Sequence, residues 1–218
     1  MKENKTQKKI QISIRAKILV GMVVCTLIVA NLSGWFLMNQ AKTMLLEQCK
    51  QNAGSSAKIA AQRIDGDLLE QLQAGDEGSA DYEEILSQLQ EFLCGDEIKY
   101  IYTMRMNGDT LEFIVDADTE EGAAIGEAYE IYDEIAEAFD GNVTVDSEMT
   151  SDEWGDFYSA FAPVYNSAGD IVGIVGVDCS VTEIRFQQSA LIRKFMLIEL
   201  AGLAIAVVLS LVISCQEA

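Results

Sequence analysis

Histidine is absent from this 218-residue chain. That removes His-dependent nucleophilic catalysis, most zinc sites and pH sensing by imidazole. Cations are scarce: fifteen lysines and arginines stand against thirty-five aspartates and glutamates, a formal charge of −20. Such a surface excludes nucleic acid as a partner. Cysteine is sparse too, and of the five residues Cys25 and Cys215 fall in long apolar runs. The other three, Cys49, Cys94 and Cys179, have irregular spacing and an odd count, so neither a disulfide framework nor a metal motif follows. Cys49 could cross-link a dimer; a tolerated free thiol is the simpler reading. Proline occurs once, at Pro163.

Half of the residues are hydrophobic although the chain is strongly acidic, so the apolar excess must be segregated. Ile18 to Met38 and Phe195 to Cys215 are each long enough to cross a bilayer core, which takes roughly 20 apolar residues as helix. Before the first run stand Lys2, Lys5, Lys8, Lys9, Arg15 and Lys17 against Glu3 alone, which places residues 1–17 in the cytoplasm. Residues 39–194 then lie outside, with nine basic residues against thirty-two acidic. The run Val29-Ala30-Asn31-Leu32-Ser33-Gly34 has no clean small-x-small cleavage site, so the first span reads as an uncleaved anchor. Only Gln216, Glu217 and Ala218 follow the second span, and this cytoplasmic end is expected to be truncated. Asn31 and Glu199 sit inside the spans, where a hydrogen bond between helices is the reading and snorkelling of Glu199 its rival.

Between the spans, helix formers run from Asn39 to Leu72, with Ala57, Ala61, Ile64, Leu68 and Leu72 on one face. Residues 74–78 break that helix, and Asp81 with Glu84 makes a capping box for a second, ending near Cys94-Gly95. Ile98 to Asp118 reads as a hairpin about Asn107-Gly108. Its first strand carries Tyr100, Tyr102 and Met104 on one face and Ile101, Thr103 and Arg105 on the other; its partner carries Leu111, Phe113 and Val115 on a single face. A polar loop, Thr119 to Glu127, leads to a helix from Tyr129 to Phe139, a short strand within 142–146, and a loop from Ser147 to Gly155.

A closing hairpin then spans Asp156 to Asp178 around Asn166-Ser167-Ala168-Gly169. Pro163 cannot donate to a ladder, which puts its strand at an edge or a bulge. The second strand sets Val172, Ile174, Gly176 and Asp178 on one face. Gly176 removes volume and Asp178 places a carboxylate beside the gap, which reads as half of a ligand pocket. Ser180 can cap a last helix with Val181, Ile184, Gln188, Leu191 and Phe195 at coiled-coil spacing.

This order of elements, and the pieces Tyr100-Ile101-Tyr102-Thr103, Phe113 to Asp118, Asp152-Glu153-Trp154-Gly155, Ser159 to Pro163 and Gly173 to Asp178, resembles the single Cache domain. That is the PAS-like extracellular sensor of bacterial chemoreceptors, sensor kinases and diguanylate cyclases. The resemblance implies an α+β fold: a long amino-terminal helix behind an antiparallel sheet of about five strands, carried between two transmembrane helices. It implies a small ligand, a carboxylate or amino acid, on the far face of the sheet. An Asp at the end of the family's last strand often meets a ligand amine, and here that residue is Asp178. The family's aromatic and arginine contributions map onto Tyr100, Tyr102, Arg105, Tyr129, Trp154 and Tyr158.

Each of these residues has a plainer reading. Asp178 could bond nearby backbone, and the aromatics could be core. Arg105 falls on the strand face opposite Tyr100 and Tyr102, so a surface ion pair with Glu112 or Asp109 is its simpler role. Asp116, Asp118, Glu120, Gly122 and Glu127 echo a calcium loop poorly, since Glu121 stands where that loop needs Gly; a solvated acidic loop is the reading. Asp116 and Asp178 could be imagined as paired carboxylates, yet nothing places them about a scissile bond, so no enzyme, cofactor or metal is expected. The expected protein is a sensor module of the bacterial inner membrane, homodimeric, that binds a small metabolite and signals through its second span. The alternative is a membrane-anchored interaction module with the same fold and no small ligand.

Overall fold

A computed structural model describes residues 14–93, 98–118, 120, 122–152 and 155–216; for 15, 16, 19, 151, 152, 181–188 and 209–216 it describes backbone alone. Cys94, Glu153 and Trp154 lie outside the described residues, as do the side chains at 181, 184 and 188 of the last helix. Two compact units emerge, Met1–Lys42 with Gln188–Ala218, and Thr43–Gln187.

The first unit contains the beginning of helix α1 (Ile14–Arg63) and most of α5 (Val181–Gln216). Among the described residues one helix, over Val20–Arg63, is long and apolar enough to cross a membrane. Phe195 packs so tightly over Gly34 that any Cβ there would collide with its ring. Small residues permit this close approach of helices. Asn31 does not send its amide across to the other helix: Nδ2 donates to Leu27 O of its own helix at 2.8 Å.

In the second unit α1 buries Cys49, Ala53, Ala57, Ala60 and Ala61, a small-residue stripe that lets the helix lie close to a sheet. The helix stops at Arg63 rather than running to Leu72. Asp65 adopts extended backbone and accepts from the N–H groups of Asp67 and Leu68, starting α2 (Gly66–Gln71). An Asp side chain that bonds local backbone in this way competes with helix continuation. Only glycine fits at Gly66, because a Cβ would strike the backbone of Tyr165. Helix α3 (Ala80–Gln90) is capped by Ser79, whose hydroxyl accepts from Tyr82 N–H, two residues before the expected cap.

The sheet is antiparallel, with strands β1 (Ile98–Asn107), β2 (Thr110–Asp116), β3 (Ala128–Tyr129), β4 (Thr144–Val145), β5 (Thr150–Asp152), β6 (Gly155–Tyr165) and β7 (Ile171–Ser180). Their order is β3-β2-β1-β7-β6-β4, with β5 also on β6. The α+β architecture is thus the one the Cache resemblance implies, with three short strands added to the four long ones. Residues 129–132 are not helical. Tyr129 pairs with Leu111 at the sheet edge, and α4 (Asp133–Phe139) starts after it. Part of the expected 147–155 loop is β5. Pro163 does lie on an open stretch of edge: β4 reaches only Ala160 and Phe161, and β5 only Gly155 to Phe157.

Two irregularities overturn face assignments. Thr103 pairs with Val115 but Met104 with Phe113, leaving Ile114 as the extra residue of a bulge. Val115 consequently packs on the α1 side with Ile101, away from Leu111 and Phe113. A shift between Val164 and Tyr165 likewise moves Val172 to the α1 side. One sheet face is sealed by α1, α2 and α3, the other by α4 and the loops around it.

Candidate ligand-binding site

On the α4 face β7 sits between β1 and β6, and opposed residues of an antiparallel sheet project together. Asp178 lies between Tyr100 and Ser159, and Gly176 between Tyr102 and Phe161. The space that Gly176 vacates is not empty. The Tyr102 ring occupies it so closely that a Cβ on Gly176 would overlap three ring atoms. In that position the Tyr102 hydroxyl donates to Asp178 Oδ1 at 3.1 Å, both residues being buried. The missing side chain therefore serves a phenol–carboxylate pair, and burial with the Asp178 charge holds the Tyr102 phenol well above its ordinary range.

Aromatic rings extend outward from this pair. Tyr102 meets Phe113 edge-on at 5.2 Å, and Phe113 meets Tyr129 at 5.7 Å. Across β7, Tyr132 meets Phe161 at 5.9 Å. Such edge-to-face pairs add about 0.5–1.5 kcal/mol each beyond burial. Tyr132 stands just before α4, and burial first, then the charges of Asp146, Tyr129 and Asp178, push its phenol up. Asp146 follows β4 and is fixed to β6: Oδ2 accepts from Ser159 N–H and from the Thr150 hydroxyl, both at 3.0 Å. Burial raises the Asp146 carboxyl above the usual range against those bonds.

Of the residues singled out by sequence, Asp178, Tyr100, Tyr102 and Tyr129 come together here. Tyr100 meets Phe157 edge-on at 5.4 Å beside Asp178. Tyr158 and Arg105 do not join them. Tyr158 points to the α1 side, with Lys50 Nζ 4.2 Å over its ring. Arg105 Nε pairs with Glu112 at 2.7 Å and its guanidinium donates to Leu72 O at 2.6 Å, so it is occupied on the opposite face. The Glu112 alternative for Arg105 is the one observed. Trp154 falls outside the described residues. Tyr132, Asp146, Phe113 and Phe161 escaped the sequence reading. Phe161 was findable, two residues from Ser159 on the same strand face; Tyr132 was hidden by the helix assigned to it.

The acidic loop spends its oxygens on its own turns. Asp116 accepts from Asp118 and Ala123 N–H, Asp118 from Glu120 N–H, and Glu127 from Ala124 N–H. Among the described residues no acidic group converges as a metal site. Cys49 and Cys179 are not free thiols but a disulfide, with Cα atoms 6.3 Å apart, within the range such bridges need. It joins α1 to the end of β7, one residue beyond Asp178.

No family model and no curated protein matches the chain. Among solved structures it is similar to the ligand-binding domain of the Campylobacter jejuni chemoreceptor Tlp3. With 4-methylisoleucine bound, that domain shows 12% identity and a TM-score of 0.49 over 72% of this chain and 61% of that one. With L-valine bound, it shows 12% identity and a TM-score of 0.49 over 81% and 68%. The sensor domain of E. coli DcuS gives 13% identity and a TM-score of 0.41 over 69% of this chain and 98% of its own. The chain thus spans about three fifths of the length of the first of these. At such identities and scores the likeness carries no argument about this chain and assigns no ligand.

Proposed function

We propose that the chain is a membrane-anchored sensor module whose residues 39–194 lie outside the cytoplasm and bind a small amine-bearing metabolite on the α4 face of the sheet. The observation that carries this reading is the buried Tyr102–Asp178 pair, ringed by Phe113, Tyr129, Tyr132 and Phe161, three residues before α5 begins. A carboxylate in such a setting suits a ligand amine, and phenol walls suit a small organic body. The ligand lies between the sheet and the segment from Tyr129 to Gly155. Differential affinity for two positions of the β7 end moves α5, and with it the second span. The Cys49–Cys179 bridge agrees with an oxidising compartment for this unit. The two apolar helices act as membrane spans, the amino terminus faces the cytoplasm, and the module functions as a homodimer without enzymatic activity of its own.

A second reading has one observation in its favour. Tyr102 already fills the gap at Gly176 and already satisfies Asp178 Oδ1, as a purely structural pair would. On that reading the chain is an anchored interaction module without a small ligand. Thermal unfolding of the full chain in detergent, against a panel of small amines, amino acids and carboxylates, separates the two. A ligand that binds the native state alone raises the midpoint. A panel in which no compound moves it would leave the interaction module as the answer.

A further inference from the structure

Asp146 is only 2% exposed, yet its two oxygens are treated unequally. Oδ2 accepts two hydrogen bonds, while Oδ1 is buried with no hydrogen-bond partner among the described residues. Buried carboxylate oxygens are seldom left so, because the charge loses its hydration without compensation. Asp146 and Asp178 are linked through Ser159, which pairs with Asp178 across the β6–β7 ladder and donates its N–H to Asp146 Oδ2; the Tyr132 hydroxyl also acts on the Asp146 carboxyl.

Lys50, Arg105 and Lys99 have contacts elsewhere. Lys50 gives Nζ to the carbonyl oxygens of Asp146 and Ser147, at 2.7 and 3.0 Å, and lies over Tyr158 on the α1 side. Arg105 is held by Glu112 and Leu72 O on that side too. Lys99 is exposed at the rim, 5.1 Å from the centre of the Tyr100 ring. Among the described residues no lysine or arginine donates to the Asp146 carboxylate.

We propose that Asp146 is a second anionic pole of the site and that the ligand is an organic cation lacking a carboxylate, most simply a short diamine. One charged nitrogen meets Asp178 and the other Asp146 Oδ1, with Tyr102, Tyr129, Tyr132, Phe113 and Phe161 as walls. Aromatic faces attract ammonium groups, which adds to the charge match. A ligand carboxylate would face two buried acids, with no arginine among the described residues donating to the Asp146 carboxylate, unlike the carboxylate and amino-acid ligands the Cache resemblance implies. This inference rests on the reading that the α4 face holds a small ligand.

The test is thermal unfolding of the full chain in detergent with 1,4-diaminobutane, n-butylamine, choline, succinate, L-valine and calcium chloride as probes. The expected result is a raised midpoint with 1,4-diaminobutane and none with succinate, L-valine or calcium. Asp146→Asn should then weaken the diamine about ten-fold or more while keeping an oxygen for Ser159 and Thr150. Its folding is checked by circular dichroism. Should that variant not fold, the wild type still decides, because two poles require 1,4-diaminobutane to bind at least about ten-fold tighter than n-butylamine. Equal affinity for the two amines, or for wild type and a folded Asp146→Asn, overturns the second pole. Stabilisation by succinate, L-valine or calcium in place of amines overturns the cationic ligand but leaves a ligand site standing. Silence from every probe overturns both this inference and the sensor reading beneath it.

Discussion

A Cβ added to Gly176 would overlap the Tyr102 ring, whose hydroxyl reaches Asp178. Gly176→Ala is therefore expected to cost about 1–3 kcal/mol in urea unfolding, the usual range for overpacking. Tyr102→Phe keeps the ring and removes the donor to a buried carboxylate, an expected loss of about 1–3 kcal/mol. The titrating residues make a third prediction. Burial raises Asp146 and Asp116 above the ordinary carboxylate range, so the folded state holds more protons than the unfolded one and stability falls as pH rises through that window. Glu112 and Glu134 behave oppositely. Partial burial would raise both, but hydrogen bonds from Arg105 and Asn107 to Glu112, and from backbone and Ser147 to Glu134, outweigh it. Their contribution is present at neutral pH and lost only as pH falls below the ordinary range. The urea midpoint should thus rise from pH 7 to about pH 5 and decline below about pH 4, with the rise reduced in Asp146→Asn. Asp178 was legible in sequence as an acid ending an apolar strand. Asp146 was not, because its burial depends on β4, β6 and Tyr132 meeting in space.

At the scale of elements, the bulge in β2 and the Cys49–Cys179 bridge carry the next predictions. Thr103 Oγ1 accepts from Val115 N–H at 3.0 Å beside the bulge, in a fully buried position. Thr103→Val leaves that N–H without a partner and should cost about 1–3 kcal/mol, with faster amide exchange at Val115. The disulfide closes a sequence separation of 130 residues. Cys49→Ser with Cys179→Ser should lower stability by about 4–5 kcal/mol on the chain-entropy estimate, and by less where the unfolded chain retains structure. Denaturant midpoints of the oxidised chain and the double variant measure it. Both features were out of reach of pattern reading. Alternation along β2 assumes an unbroken pleat, and three cysteines at irregular spacing do not say which two approach each other. The two hairpins were legible because Asn107-Gly108 and Asn166 to Gly169 are local turn chemistry. The helix expected over Tyr129 to Phe139 failed at its start, where the edge of β2 offered pairing that local propensity does not see.

For the whole molecule, the packing of Phe195 over Gly34 predicts that cysteines placed at both positions cross-link readily in membranes without added catalyst. Under the proposed signalling, saturating ligand changes that rate; an unchanged rate would argue that the β7 end does not drive the second span. The bridge bears on this mechanism, since Cys179 is tied to α1 and the end of β7 cannot slide freely along that helix. Segregation of apolar residues into two long runs, the charge imbalance, the exclusion of histidine chemistry and the order of helices and hairpins all follow from composition and local pattern, because they depend on residues near one another in the chain. The partners of Asp178 and Asp146, the engagement of Arg105 away from them, the cysteine pairing and the filling of the Gly176 gap belong to the tertiary structure. Each is a meeting of residues distant in sequence, and a bulge of one residue in β2 is enough to turn a side chain from one face of the sheet to the other.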